Sequence, residues 1–197
     1  MVHARSDVVS TALRVLDAHG LADLTMRRLA AELDVRPSAL YHHVADKQTL
    51  LAAVADELLA RGRRPATAHA WPDRVREVAV GLRDALLAWT DGAELVGTVV
   101  GFGLGGTAPL RDLEEALAGS GLPDDLVPVA ARTVWHFTLG HTWEEQTHLQ
   151  AGAAGAIPDE PLGTRDPGAA FTAGLELVLD GLRARADRST DRSLTAG

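Results

Sequence analysis

The apolar positions of the chain recur at helical spacing over most of its length. The first such stripe predicts a helix over about residues 6–19, which Gly20 ends. The one β-like run, residues 95–102, is interrupted by Gly97 and Gly101. The pattern therefore predicts an all-α fold of about nine to ten helices.

A pair of short helices joined by a tight turn stands out between Thr25 and Val44. Thr25 is a good N-cap for the first helix. Pro37 breaks helical continuity before the second, because proline lacks an amide donor and disfavours α geometry in the residue before it. Leu40 and Val44, four residues apart, anchor the second helix to the core. The residues around them face outward, which favours a helix-turn-helix that reads a DNA groove.

The later helices are expected at Asp46 to about Arg63, Trp71 to Trp89, Thr107 to Ala118, Pro123 to Leu149 and Pro167 to Arg188. A glycine-rich stretch, residues 97–109, is interpreted as a short irregular helix end and a loop, and residues 151–168 as a flexible loop. Gly62 and Pro65 mark a boundary. We therefore predict a three-helix helix-turn-helix DNA-binding domain over residues 1–64, a ligand-binding and dimerisation domain over residues 65–188, and a disordered tail over residues 189–197.

Residues 6–64 resemble the DNA-binding domain of the tetracycline repressor (TetR) family. The residues that carry this resemblance are Thr25, Arg27, Leu29, Ala30, Leu33, Val35, Leu40, Tyr41, His43, Val44 and Lys47. The resemblance to the tetracycline repressor subclass continues in WPDRVREVAVGLRDALLAWTDGAEL, HFTLGHTWEEQ and FTAGLELVLDGL. It implies a transcriptional repressor with DNA contacts from Thr25, Met26, Arg27, Arg28, Arg36, Pro37, Ser38, Ala39, Tyr41, His42, His43 and Lys47.

The same resemblance implies an effector pocket and a dimer interface in the second domain. The pocket would be lined by Val78, Leu82, Leu86, Trp89, Val96, Val99, Phe102, Trp135, Leu139, Trp143 and Glu144. The dimer would be a four-helix bundle made by the last two long helices of each subunit. Its interface is expected to include Leu126, Val129, Val134, Phe137, His141, His148, Phe171, Leu175, Val178, Leu179 and Leu182. Both helices also carry apolar residues off their main stripe, so each needs cover on two sides.

The effector is expected to differ from tetracycline. In the tetracycline repressor subclass that the chain resembles, the drug is held as a magnesium chelate by a His and a Glu, and that Glu matches Glu144. The His position is Val96 here, a drug-contacting Asn matches Val78, and a further His falls on Arg63. We therefore predict a small, more apolar effector that binds without a metal, and no cofactor.

Charge distribution bears on the DNA partner. The net charge is −8, yet residues 1–64 hold nine Lys and Arg against eight Asp and Glu, so the acid lies in the rest of the chain. A weakly basic head binds DNA poorly alone, which favours a homodimer on a palindromic operator, with its two recognition helices about 34 Å apart. The chain has no cysteine and no long apolar run, so a cytoplasmic protein without a membrane partner is expected.

Two alternatives stay open at this point. A constitutive DNA-binding dimer would use the second domain only as a clamp, although a clamp needs no glycine-rich hinge. A helical-bundle metalloenzyme would use His141, Glu144 and His148, which share one helix face. The Glu145-x-x-His148 motif resembles half of a di-iron site, but no second Glu-x-x-His occurs. Motifs for nucleophilic catalysis and nucleotide binding are also missing. We therefore predict that the chain is not an enzyme.

Overall fold

A computed structural model describes residues 4–157 and 166–195, with side chains described as far as Ser189. Within these ranges the chain forms nine α-helices and no strand. None of the described helices is both long and apolar enough to cross a membrane. The helices are α1 (Arg5–Asp23), α2 (Met26–Glu32), α3 (Pro37–Leu40), α4 (Lys47–Gly62), α5 (Trp71–Leu87), α6 (Gly92–Gly101), α7 (Ala108–Ala116), α8 (Val127–Ala153) and α9 (Pro167–Thr195).

The first of two compact units combines Met1–Arg63 with Asp84–Ala108. It holds α1–α4, called the head below, together with the end of α5 and all of α6. Its core is made by leucine and valine side chains that helical spacing puts on the inner faces of α1 and α4, including Leu13, Leu16, Leu50, Val54 and Leu58, all 0 % exposed. The sequence prediction had assigned residues 84–108 to the second domain, whereas here they pack with the head.

Polar contacts fasten both ends of α6 within this unit. At its beginning Asp91 adopts a left-handed conformation, and its carboxylate accepts a hydrogen bond from the Leu21 amide at 2.7 Å. Just after its end the Gly106 amide donates to the Asp56 carboxylate on α4 at 2.9 Å. These two partly buried hydrogen bonds tie α6 and the loop after it to α1 and α4.

The second unit combines Arg64–Arg83 with Pro109–Gly197. Arg83 of α5 makes a two-pronged ion pair with Glu145 of α8, at 3.0 and 2.7 Å, and its guanidinium lies 5.3 Å from the centre of the Phe171 ring on α9. Gly174 lets α9 approach α8 closely, since a Cβ there would lie 2.6 Å from the Phe137 ring. These contacts join α5, α8 and α9 into one layer of helices.

Several element boundaries differ from the sequence prediction. The first helix continues to Asp23 beyond a non-helical Gly20, and α8 covers Val127–Ala153 rather than Pro123–Leu149. The predicted irregular stretch from Gly97 is regular helix through Gly101, because buried Leu95, Val96 and Val99 outweigh the helix-breaking tendency of its glycines. The long fifth helix ends at Leu87 rather than Trp89. The last helix runs to Thr195, seven residues beyond Arg188. Residues 158–165, part of the predicted loop, lie outside the described residues, as do residues 196–197.

Candidate DNA-binding surface and effector residues

The turn between α2 and α3 is built by local sequence signals. The Thr25 hydroxyl accepts a hydrogen bond from the Arg28 amide at 3.1 Å and so caps α2. Asp34 takes φ 52°, a left-handed conformation that Asp tolerates better than most residues, and it turns the chain between the helices. Pro37 occupies the first turn of α3, where its missing amide costs nothing. The sequence therefore specifies both the turn and the direction of the helix that follows.

The predicted recognition helix is one helical turn followed by a tighter turn. After Leu40 the His42 amide donates to the Ala39 carbonyl at 3.3 Å and the His43 amide to the Leu40 carbonyl at 2.9 Å, which is the i→i−3 pattern of a 3₁₀ turn. Leu40 and Val44 are 1 % and 2 % exposed. They are the anchors that the sequence predicted.

The candidate DNA-contacting side chains lie around these anchors. Tyr41 is 53 % exposed, although buried apolar packing is the ordinary fate of an aromatic ring. Of the other candidates, the exposed ones are Thr25, Arg27, Arg36, Pro37, Ser38 and His42, and the half-buried ones are Met26, Arg28, Ala39, His43 and Lys47. The structure thus brings a polar, partly basic surface together on α2, α3 and the start of α4.

Two of the predicted contacts have protein partners nearby. Arg28 forms an ion pair with Asp23 at 3.3 Å, so part of its charge is compensated before any phosphate approaches. Lys47 follows Asp46, whose carboxylate caps α4 through the Thr49 amide at 2.7 Å. This amide lowers the pKa of Asp46, because the hydrogen bond favours the ionised carboxylate. A carboxylate at this N-terminus also balances the helix dipole that opposes a lysine there.

The eleven predicted effector residues divide between the two units. In the first unit Leu86, Val96 and Val99 are buried, Trp89 is half-buried and Phe102 is 69 % exposed. In the second unit the buried residues are Leu82 and Trp135, the half-buried ones Val78 and Leu139, and the exposed ones Trp143 and Glu144.

An open groove of about 470 Å³ lies between α1 and α4, away from these eleven residues. Four of its lining residues belong to α1 and four to α4. The residues that line it are Arg5, Ser6, Val9, Ser10, Ala53, Asp56, Glu57 and Ala60. Because none of the predicted effector residues borders this groove, the effector pocket stays a prediction.

Sequence reasoning missed a polar face on α8 that lies inside the second unit. Thr138 and Thr142 are 0 % exposed, and Gln146 is 7 % exposed. The Thr142 hydroxyl donates to the Thr138 carbonyl at 2.7 Å, whereas the Thr138 hydroxyl is buried without a hydrogen-bond partner. Their spacing of four places the three residues on one face of α8, and this was the signal that the sequence offered. The sequence prediction instead assigned the neighbouring Trp135 and Trp143 to an apolar pocket.

The predicted dimer stripe needs a correction. Val134, Phe171, Leu175 and Leu179 are between 0 % and 2 % exposed within a single chain, so they have no surface left for a partner. They form the packing between α8 and α9 of one subunit. Of the other predicted interface residues Val129 is 58 % exposed, and the half-buried ones are Leu126, Phe137, His141, His148, Val178 and Leu182.

Two residues of the metalloenzyme alternative, His141 and the Glu145 of its Glu-x-x-His motif, are engaged elsewhere. His141 donates from Nε2 to the Pro167 carbonyl at 3.0 Å, and its ring lies 5.4 Å from that of Phe171. Glu145 is paired with Arg83. Among the described residues no group of three or more His, Asp and Glu side chains is arranged to hold a metal ion.

A helix-turn-helix with an exposed polar probe, carried on an all-helical chain, defines a DNA-binding transcriptional regulator. Comparison with known proteins agrees. The sequence model of bacterial regulatory proteins of the tetR family matches residues 8–54, and that of the tetracyclin repressor-like C-terminal domain matches residues 64–160. The chain belongs to the TetR family, whose members are transcriptional regulators and not enzymes.

Individual relatives agree along most of the chain. The class D tetracycline repressor protein of Escherichia coli is 38% identical over 165 residues, which are 80% of this chain and 74% of the repressor. The crystal structure of Mycobacterium smegmatis BioQ is 45% identical, covers 94% of this chain and 99% of its own, and superposes with a TM-score of 0.86. A structure of BioQ with its natural double-stranded DNA operator is 44% identical, covers 93% and 99%, and has a TM-score of 0.79. The resemblance inferred from sequence is confirmed.

Proposed function

We propose that this chain is a ligand-responsive repressor, which binds a palindromic operator as a homodimer and leaves it when a small, largely apolar molecule binds. The observation that carries the proposal is the exposed surface around Leu40 and Val44. Tyr41 and His42 are exposed rather than packed in the core, so a partner outside the chain best explains why they stand there. The operator-bound BioQ structure supports DNA as that partner.

The side chains of this surface suit two different tasks on a duplex. Ser38 and His42, at the exposed tip, can donate and accept hydrogen bonds and would contact base edges. Lys47 and Tyr41 flank the tip and would contact phosphates, which sets register without reading sequence. Few cations are available for each head, so a single head would bind weakly and a pair is needed.

A second copy of the chain is supported by apolar surface on α8 and α9. Leu177 is 75 % exposed on α9, and Val129 is 58 % exposed on α8. Gly140 and Gly181, on the same two helices, face open space where a Cβ would meet nothing within 4 Å. Leu177 lies one helical turn from Gly181, and an exposed leucine beside a side-chain-free position suits the close approach of another helix pair. A twofold axis would present the same patch from both sides.

The proposed response to an effector is supported by the position of several predicted effector residues in the same compact unit as the head. Leu86, Trp89, Val96 and Val99 are predicted effector residues, and they share that compact unit with the head. An effector that binds them more tightly in one arrangement of the unit shifts the population towards that arrangement. The size of the response equals the difference in effector affinity between the two arrangements.

Selection of bound duplexes from a random pool tests the DNA part of this proposal. We expect enrichment of an inverted repeat whose half-sites are about one helical turn apart. Sedimentation of the free protein and of its complex with the selected duplex gives the number of subunits. A strictly monomeric protein, or one that binds no duplex at low salt, would overturn the proposal.

Screening for compounds that release the selected duplex tests the effector part. Tetracycline with magnesium serves as a reference compound, and we expect it to leave the melting temperature unchanged, because Val96 and Val78 cannot ligate a metal or bind a polar drug edge. A large stabilisation by tetracycline and magnesium contradicts the predicted apolar effector. Failure of every compound class to release DNA would favour a constitutive dimer.

A further inference from the structure

The last turn of α4 contacts the last turn of α5 without any intervening side chain at Gly62. A Cβ placed on Gly62 would lie 2.9 Å from Cα of Ala85 and nearer still to the Ala85 methyl group. Carbon atoms in proteins pack at about 3.5–4.0 Å. Even the smallest side chain at position 62 would therefore force the two helices apart by on the order of 1 Å.

A second contact lies directly beside the first. The Arg61 guanidinium lies 5.7 Å from the centre of the Trp89 ring, within the range of a cation–π interaction, and its Nε donates to Glu57 at 2.8 Å. Trp89 follows Ala85 by four residues. Two consecutive residues of α4 thus dock on two points of one short segment, called the α4–α5 crossing below (Arg61, Gly62, Ala85 and Trp89).

The crossing acts at the end of a long lever. Gly62 and Lys47 are the last and first residues of α4, so about 22 Å of helix separates the crossing from the DNA-contacting end. Leu58, 0 % exposed, lies about 6 Å from Gly62 along the axis and provides a fixed point. A displacement of about 1 Å at Gly62 would then move the first turn of α4 by roughly 3 Å the other way. A shift of that size is large against the spacing that two heads must keep on one operator.

We propose that Gly62 is a positioning residue for operator binding: its missing side chain closes the α4–α5 crossing and so holds the head at the angle that fits the operator. This rests on the proposed function, because the angle matters only when two heads bind one duplex. Trp89 and Leu86, which adjoins Ala85, are predicted effector residues. An effector that displaces this segment would therefore act on the same crossing.

The test compares G62A with G81A for affinity to the selected operator duplex, measured by fluorescence anisotropy. Gly81 is a helical glycine of α5 at which a Cβ would meet nothing within 4 Å, so G81A changes helix propensity alone. We expect G62A to bind the operator at least tenfold more weakly and G81A to bind within twofold of the unaltered protein. The double variant G62A/A85G removes the overlapping methyl group but keeps Cα of residue 85 at 2.9 Å from the added Cβ, so it should recover part of the lost affinity, at least threefold relative to G62A.

A distance measurement separates position from stability. The chain has no cysteine, so E32C places one spin label on an exposed residue of α2 in each subunit. We expect the label-to-label distance in the free dimer to change by about 3 Å or more in G62A, the displacement that the lever gives, and to change less in G62A/A85G. If G62A does not fold, R61A carries the test, since it loosens the crossing from a half-exposed position.

Each outcome bears on the proposal. Equal operator affinity and equal label distance in folded G62A, or in R61A if G62A is unfolded, would overturn it. So would a loss of affinity in G62A that A85G does not reduce at all. If the unaltered protein binds no duplex or forms no dimer, the proposed function itself fails, and this is seen before any variant is compared.

Discussion

The head and the α8–α9 pair differ in how completely one chain covers their apolar surface. In the head the core side chains of α1 and α4 are buried within one chain, and Tyr41, beside the predicted DNA-contacting tip, is exposed. The α8–α9 pair buries Phe171 and Leu175 but leaves Val129 and Leu177 open. One apolar stripe of this pair is buried by its own chain, and a second apolar surface stays exposed. This combination indicates a region that binds a partner.

The largest expected effect comes from placing a charge on the open side of α9. L177E should raise the dimer dissociation constant at least about a hundredfold, roughly 3 kcal/mol, because an unpaired carboxylate would have to be buried. Operator binding should fall with it. Sedimentation velocity measures the change, and L104E, at an exposed leucine in the first unit, is the control. An unchanged dimer would mean that this side of α9 is not the interface.

The closed side of the same region depends on the Arg83–Glu145 pair. Its two side chains are 16 % and 10 % exposed, so E145A leaves a cation almost buried and should cost about 3 kcal/mol of unfolding free energy. Urea denaturation measures this cost. D180A, which breaks the exposed Arg183–Asp180 pair, should cost less than about 0.5 kcal/mol. Equal costs for E145A and D180A would contradict the buried role of the pair.

The close packing of Gly20 at the end of α1 against Asp91 can be tested by substitution. This residue has φ 78°, and a Cβ there would lie 2.7 Å from the Asp91 carboxylate. G20A should cost at least about 2–3 kcal/mol, because φ 78° with ψ 175° is a conformation essentially limited to glycine and the added methyl group would also overlap Asp91. G119A has a similar φ of 74° with nothing within 4 Å, so it should show the strain alone, about 1–2 kcal/mol. Thermal unfolding of both variants gives the difference; no difference would exclude steric contact with Asp91.

A smaller effect is expected at the DNA-contacting end of α4. K47A should weaken binding to all duplexes by about 1 kcal/mol and reduce the slope of log affinity against log salt by about one for each head. A phosphate contact carries no sequence information, so operator preference should persist. Q48A, at the exposed next residue, should leave the slope unchanged. A changed operator preference in K47A would argue for a base contact instead.

The smallest effect concerns acid. Because the pKa of Asp46 is lowered in the folded state, its cap stabilises α4 above the unfolded pKa, and this contribution is lost as pH falls through the folded value. Exchange of the Thr49 amide, followed by NMR and divided by its intrinsic rate at each pH, should therefore accelerate below about pH 4. D46N should flatten this dependence, whereas D187N, at an exposed position of α9, should not. The same acceleration in D46N would assign it to another group.

The two regions also differ in how far sequence could predict them. Thr25, Pro37 and Asp46 are local signals, and they predicted where α2, α3 and α4 begin to within a residue. The exposed tip followed from the spacing of Leu40 and Val44. Local signals of this kind act within one turn of chain, so they are readable before any packing is known.

Packing between distant segments was not readable in this way. Phe171 and Val129 were both predicted as interface residues, because contacts inside a chain and between chains produce the same helical periodicity. The face of α9 that packs against α8 is the one that brings Gly174 close to Phe137. The helical periodicity of the sequence does not reveal this close approach. The Arg83–Glu145 pair joins residues 62 positions apart, so no local pattern could have paired them.

The hydrogen bond between the Leu21 amide and Asp91 has a consequence for protein engineering. The group that satisfies this amide is supplied by a residue seventy positions later in the chain. A fragment cut after Arg64 would lose that acceptor and the α6 surface against which α4 packs. Chimeric regulators that borrow the specificity of this protein should therefore transplant residues 84–108 along with its first 63.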